Sequence, residues 1–334
     1  MQERMRHIVI GGIATSLGGA LFVFLVWKAG PATIWQSLSA FGVVPFLFFV
    51  SLSLLNFGLY TLRWKIILEE VEKKKGIRYV RLFLHRMSGF AAGYLTPAAQ
   101  VAGEPVRVAL LATEGISSKT ATSSVVLDLA FEISAFVLYV VLGIVLALST
   151  GVGAGTFGLV AYIILGTLLV LMTVFFVSVA KGWNIFHRVL QQPFFNRHKK
   201  MREFATWLLE VEGTMTRFFA GRAHILAVVI ILSLVMTGFR AVEVWFIAQG
   251  FGQDLTLSGA ILLSTIPGLV LFAPIPGGLG LFEASMAAML GTLGISTPAI
   301  AFTMIIRLRD FLFIGVGALH GIREGAGYVS RKET

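Results

Sequence analysis

The stretch 94-YLTPAAQVAGEPVRVALL-111 decides how this chain must fold, because it sets Pro97, Gly103, Glu104, Pro105 and Arg107 inside an apolar run. Pro and Gly interrupt helices, and a carboxylate or a guanidinium costs free energy away from water. A second stretch, 272-FAPIPGGLGLFEASMAAML-290, makes the same choice late in the chain. Around both, 57% of the 334 residues are hydrophobic and 13% are charged, whereas a soluble domain is about a quarter charged. Unbroken apolar runs of about twenty residues predict membrane-spanning helices and exclude the alternating segments of a membrane β-barrel. The expected fold class is an all-α polytopic membrane protein.

The chain has no Cys, which excludes disulfides, thiol catalysis and thiolate metal sites. The N-terminal MQERMRH leads into an apolar run with no small-residue cleavage site after it, and reads as the start of the first span. The net charge of +10 is concentrated. Eight Lys/Arg fall between Arg63 and Arg86, including 73-KKK-75, and eight more between Lys181 and Arg222. The short loops 28–42, 150–156 and 250–256 carry Lys28 alone. This asymmetry points to an anionic cytoplasmic leaflet as the partner of the positive charge, rather than to nucleic acid.

Full spans are expected near Ile8–Trp27, Val43–Leu62, Thr120–Leu148, Phe157–Ala180, Ala223–Ala248 and Pro298–Gly321, with both termini in the cytoplasm. The loop 181–222 mixes charges with aromatic residues and reads as a cytoplasmic amphipathic helix lying on the lipid leaflet. Two apolar regions, about 83–111 and 257–296, are broken halfway by Gly and Pro. The arms of the first are too short to cross a ~30 Å hydrocarbon core, so a re-entrant helical hairpin is expected there. The second, with longer arms, is either a hairpin or two spans.

Sliding the chain by 179 residues lays Gly89 on Gly268, Pro97 on Pro276, Glu104 on Glu283, and 113-TEGIS-117 on 292-TLGIS-296. Across 83–132 against 262–311 there are eleven identities in fifty positions, including both helix breakers and the acid. Composition alone would match Leu, Ala and Val instead. The expected organisation is a single transmembrane domain of two repeats, 1–150 and 151–334. Each repeat carries three full crossings, so the second is inverted, giving six spans and two broken hairpins. In transporters such repeats place a binding site near the midplane, where paired broken helices meet.

Six acids lie in apolar stretches, Glu104, Asp128, Glu132, Glu243, Glu283 and Asp310, with four bases, Arg107, Arg240, Arg307 and Arg309. Each costs about 2.5–3.5 kcal/mol at a helix centre unless paired or hydrated. Arg240 and Glu243, and Arg307 and Asp310, stand three apart; each pair shares a helix face and reads as an ion pair. Asp128 and Glu132 stand four apart and repel unless a cation, a proton or an arginine lies between them. The 179 register maps Asp128 onto Arg307, so an acid of one repeat is expected to face a base of the other. Structural ion pairs are the plainer reading of all these groups; a charged pocket is the functional one. After each break the restarting helix presents its positive end, and at 276-PGGLG-280 the glycines admit an anionic headgroup to the backbone. Glu104 and Glu283 fall in those first turns, where they serve a pocket or simply complement the dipole. His85 and Trp64 read as interfacial, and Trp245 as packing.

The string 103-GEPVR-107 after a Pro, a following helix bearing acids, 276-PGGLGLFE-283 and a late Arg resemble the flippase-like family, that of the transmembrane domain of lysylphosphatidylglycerol synthases. The resemblance covers nearly the whole chain. It implies a bacterial or archaeal plasma-membrane protein that moves or handles lipids, with Gly103, Glu104, Arg107, Pro276, Gly277, Gly278, Glu283 and Arg307 in the site. Asp128, Glu132 and Asp310 join them from the charge pattern. No soluble catalytic domain follows residue 334, so aminoacylation by this chain is not expected, and a separate lipid-modifying synthase is a candidate partner. The leading expectation is a lipid flippase or flippase-like transporter for an anionic or isoprenoid-linked lipid, not an enzyme, with no cofactor. The alternatives are a membrane-embedded lipid-modifying enzyme and a non-transporting partner of a synthase. Neither a metal-ligand spacing among the six His nor a Ser/His/Asp arrangement supports an enzyme.

Overall fold

The structure, a computed structural model, describes residues 27, 30–72, 76–96, 103–149, 157–181, 199–270, 275–278, 280–295 and 299–331. The expected span Ile8–Trp27 (Trp27 apart), Pro97 and the loop 150–156 lie outside the described residues. Among the described residues the chain is helical, without a strand. In order the α-helices are α1 (Pro31–Phe41), α2 (Val43–Val71), α3 (Tyr79–Leu95), α4 (Gly103–Thr113), α5 (Ser118–Ser149), α6 (Phe157–Ala180), α7 (Lys199–Phe219), α8 (Ala223–Gly250), α9 (Leu257–Leu269), α10 (Leu281–Thr292) and α11 (Ala299–Arg331).

Among the described residues α2, α5 and α8 are long and apolar enough to cross a membrane. They turn large aliphatic side chains outward, as Leu47 and Leu55 on α2 and Ile231 and Val235 on α8 show. That is the pattern of helices whose solvent is lipid, because hydrocarbon does not penalise an exposed Leu. The expected spans fall within α2, α5, α6 and α8, while α11 begins at Ala299 and runs on to Arg331. Two boundaries differ from expectation for a visible reason. Residues 28–42 were expected as a short loop, yet Pro31 opens the helix α1, since its fixed φ suits a first helical position. The span expected to end at Leu62 continues to Val71, because Trp64, Ile67 and Leu68 keep the helical period of buried positions past Arg63.

The chain divides into two compact units. The first comprises the described residues of Met1–Leu55, Phe83–Leu110 and Ala241–Thr334; the second those of Asn56–Leu82 and Leu111–Arg240. In the first unit α11 packs against α1 and α10, and α9 against α10. Phe41 at the end of α1 meets Phe246 and Phe251, and Phe251 in turn meets Phe302. Helix α3 lies on α11: Ser88 Oγ donates to the Gly317 carbonyl at 2.8 Å, and His85 Nδ1 is 3.0 Å from His320 Nε2. His85 is therefore a fully buried helix-contact residue rather than an interfacial one.

In the second unit α7 packs on α5 and α6. Val211, Met215 and Phe218, at spacings of three and four, bury themselves with Ile67, Leu127, Phe131 and Val229. The expected amphipathic helix is present, but protein, not a lipid leaflet, covers its apolar face. Trp64 is likewise buried rather than interfacial, its indole N–H donating to Ser124 Oγ at 3.4 Å. Trp245, expected as packing, is 43% exposed on α8.

Candidate functional site

In the first unit the two sequence breaks become two local arrangements. At the first, α3 and α4 approach until backbone meets backbone. A methyl group added at Gly103 would lie 2.1 Å from the Gly89 carbonyl oxygen, so only glycine fits there. Gly89 in turn leaves room for Arg107, whose Cγ would sit 2.6 Å from a Cβ at that position. Arg107 is buried, and its Nη1 donates to Glu104 Oε2 at 2.7 Å, one turn back on α4.

At the second break Pro276–Gly278 form a single 3₁₀ turn, with Gly277 at φ 56° and Gly278 at φ 62°. Left-handed backbone at two successive positions calls for Gly, and a Cβ at Gly277 would also strike the Tyr94 ring at 2.5 Å. The freed Gly277 carbonyl accepts from Arg307 Nη1, which also donates to the Tyr94 hydroxyl. Arg307 Nε donates to Glu283 Oε1 at 2.9 Å, and its guanidinium lies 5.1 Å from the centre of the Phe282 ring. The other Glu283 oxygen accepts from the Gly280 backbone N–H at 2.7 Å. Glu283 thus caps α10, the dipole-complementing role its place in the first turn suggested, and it also neutralises a buried arginine, which the sequence reading had not assigned to it.

Two residues along α11, Arg309 Nε donates to Asp310 Oδ1 at 3.0 Å and Nη1 to Ser53 Oγ at 3.0 Å. Its second carboxylate is Glu243, with Oε1 at 3.5 Å from Nη1. The guanidinium lies 5.4 Å from the centre of the Phe49 ring and 5.8 Å from that of Phe313. This replaces two expectations. Glu243 pairs with Arg309 across helices rather than with Arg240 on its own turn, and Asp310 pairs with its neighbour Arg309 rather than with Arg307. Arg240, in the second unit, lies over the Phe136 ring at 5.2 Å.

The second unit holds Asp128 and Glu132, with an arginine between them as the repulsion argument requires. That arginine is Arg63, not Arg307. Its Nε donates to Asp128 Oδ1 at 2.8 Å, and its Nη2 to Glu132 Oε2 at 3.2 Å and to the Asp128 carbonyl at 3.0 Å. Nη1 reaches Ser233 Oγ at 3.1 Å. Arg63 and Asp128 are fully buried, while Glu132 is 29% exposed. Arg307, for its part, has Glu283 as its carboxylate.

The structure therefore brings Gly277, Glu283 and Arg307 together, pairs Glu104 with Arg107 beside Gly103, seats Asp310 on Arg309, and places Asp128 and Glu132 in the other unit. Sequence reasoning missed Arg63, Tyr94 and Ser53. Arg63 had been counted among loop bases facing headgroups, although the apolar period running through Ile67 and Leu68 was the signal that it is helical. Tyr94 and Ser53 carried no local signal. Among the described residues no group of three or more His, Asp or Glu is placed to hold a metal ion.

An all-helical fold with outward aliphatic faces and arginine–carboxylate pairs buried among apolar helices defines an integral membrane protein. Residues 9–317 match the family described as the lysylphosphatidylglycerol synthase TM region, and the chain belongs to that family. A relative from Methanothermobacter thermautotrophicus, described as a UPF0104 membrane protein, is 28% identical over 340 aligned positions, covering 96% of this chain and 97% of its own length.

Proposed function

We propose that this protein is a lipid flippase or flippase-like transporter, moving an anionic or isoprenoid-linked lipid across the plasma membrane of a bacterium or archaeon. The observation that carries this reading is the non-helical backbone at Pro276–Gly278, held by buried Arg307 within an otherwise apolar chain. Irregular backbone at membrane depth is tolerated only where protein or a polar cavity meets it, and such breaks mark substrate paths in transporters. On this reading Gly103, Glu104, Arg107, Pro276, Gly277, Gly278, Glu283, Arg307 and Asp310, all of the first unit, form the path for a headgroup, while its acyl or isoprenyl tails stay in the bilayer. The paired arginines exchange a carboxylate partner for the phosphate as it passes, and take the carboxylate back when it leaves.

The proposed topology has six spans, two broken hairpins and both termini in the cytoplasm, the second repeat being inverted. Besides the 179 register, the buried clusters support it. Arg63 and Glu243 are 180 residues apart, as are Ser53 and Ser233, and each cluster combines an arginine, two carboxylates and a serine. The charges are exchanged between corresponding helices, which is what a duplicated, diverged unit leaves behind.

The test uses purified protein in liposomes carrying fluorescent anionic, zwitterionic or isoprenyl-phosphate lipids, with dithionite reporting which leaflet they occupy. The expected result is transbilayer movement of one lipid class, lost in Glu104→Gln and Glu283→Gln. No movement of any class, even under an imposed pH gradient, rejects transport and turns attention to a lipid-modifying enzyme or a partner of a synthase.

A further inference from the structure

The two arginine–dicarboxylate clusters differ in one respect that charge counting brings out. Each holds a single cation and two acids, so each is one negative charge in excess if both acids are ionised. In the second unit the excess is accommodated: Glu132 accepts a hydrogen bond from Arg63 and is partly exposed. In the first unit it is not. Arg309 spends its Nε on Asp310 and its Nη1 on Ser53, and the Phe49 and Phe313 rings lie close to the guanidinium. Glu243 is 9% exposed as a residue and 11% in its side chain, and its Oε1 accepts no hydrogen bond, the Arg309 Nη1 standing at 3.5 Å as a loose ion pair.

We propose that Glu243 is a proton-binding site, its carboxylate taking up a proton on Oε1 or Oε2 and releasing it again beside the Arg309–Asp310 pair. With the proton bound, the group is a neutral carboxylic acid and the cluster is charge-balanced. Without it, a second anion stands in an apolar surround next to a cation already neutralised by Asp310. Among the described residues, the groups that share Arg309 with Glu243 are Asp310 from α11 and the Ser53 hydroxyl from α2, while Arg240 stands three residues before Glu243 on α8, over the Phe136 ring. Arg307, two residues before Arg309 on α11, donates to the Tyr94 hydroxyl and to the Gly277 carbonyl, so the cluster adjoins the Pro276–Gly278 break along one helix. The step is a simple acid–base exchange with water: one O–H bond forms or breaks, and nothing is oxidised or reduced. That this proton drives lipid movement rests on the transporter reading; that it binds at Glu243 does not.

The experiment is infrared difference spectroscopy of the purified full-length protein in phosphatidylglycerol nanodiscs, titrated with acid and base. The expected signal is the high-frequency carbonyl band of a water-shielded carboxylic acid, titrating in the wild type, absent in Glu243→Gln and displaced in Glu243→Asp. Glu210→Gln, which alters a surface pair with Lys119, keeps the band. No such band in the wild type, or a band that survives Glu243→Gln unchanged, overturns the proposal. Should Glu243→Gln fail to fold, the band of Glu243→Asp decides: a displaced band supports the site and an unmoved one rejects it. The same preparations go into the liposome assay under a pH gradient. A wild type that shows the band but moves no lipid rejects transport while leaving the proton site standing. Lipid movement without the band rejects the proton site alone.

Discussion

Arg63 illustrates how a single buried side chain sets the character of a helix end. Its fork donates to Asp128, Glu132, Ser233 and a backbone carbonyl at once. Removing the cation takes the paired arginine away from a fully buried Asp128. Arg63→Ala is therefore expected to cost about 3–5 kcal/mol, the penalty for breaking a buried pair by one partner. Thermal or denaturant unfolding in detergent measures it. Arg63→Lys keeps the charge but not the planar fork, and is expected to recover only part of that loss. Lys65 offers the contrast on the same helix. Its pair with Glu69 is half-exposed, and Lys65→Ala is expected to move stability by no more than about 0.5 kcal/mol.

Between elements, the contact of α3 with α4 depends on the absence of side chains. Because a Cβ at Gly103 would meet backbone atoms of Gly89 rather than a flexible side chain, neither helix can yield locally. Gly103→Ala is expected to destabilise by the upper part of the ~1–3 kcal/mol range for overpacking, with a lower yield of monodisperse protein. Helix α7 behaves in the opposite way, since it adheres through volume and apolar surface. Val211→Asp puts a charge into the cluster of Ile67, Leu127 and Phe131. Its expected outcome is release of α7, seen as faster proteolytic cleavage within Lys199–Phe219 while the long apolar helices stay protected.

For the whole molecule the open question is which side of the membrane each segment faces, and the chain is well suited to answering it. With no native Cys, any introduced thiol is a unique reporter. An inverted repeat predicts that Ser117→Cys and Thr292→Cys, one beside each copy of the T-x-G-I-S string, react with an impermeant maleimide from opposite faces. Labelling of both from the same side of intact cells rejects the inversion, although the buried clusters would stand.

Composition and period by themselves determined that the protein is helical and membrane-embedded, where most of its long helices lie, and that residues 94–111 and 272–290 are where they break. Those are local properties: hydrophobic length selects a span, and Pro or Gly removes a donor or a side chain wherever it stands. The chemistry of the breaks was also legible, in that Glu104 with Arg107, and Glu283 near Gly277, follow from one or two helical turns. What only the tertiary structure decided is which charge answers which. Arg63 meets Asp128 across 65 residues of sequence, Arg307 meets Tyr94 across 213, and Arg309 meets Ser53 across 256. Spacing along one helix supplied Glu104 for Arg107, but these partners are set by the geometry of packed helices, because an apolar interior rewards whatever hydrogen bond the packing brings within reach.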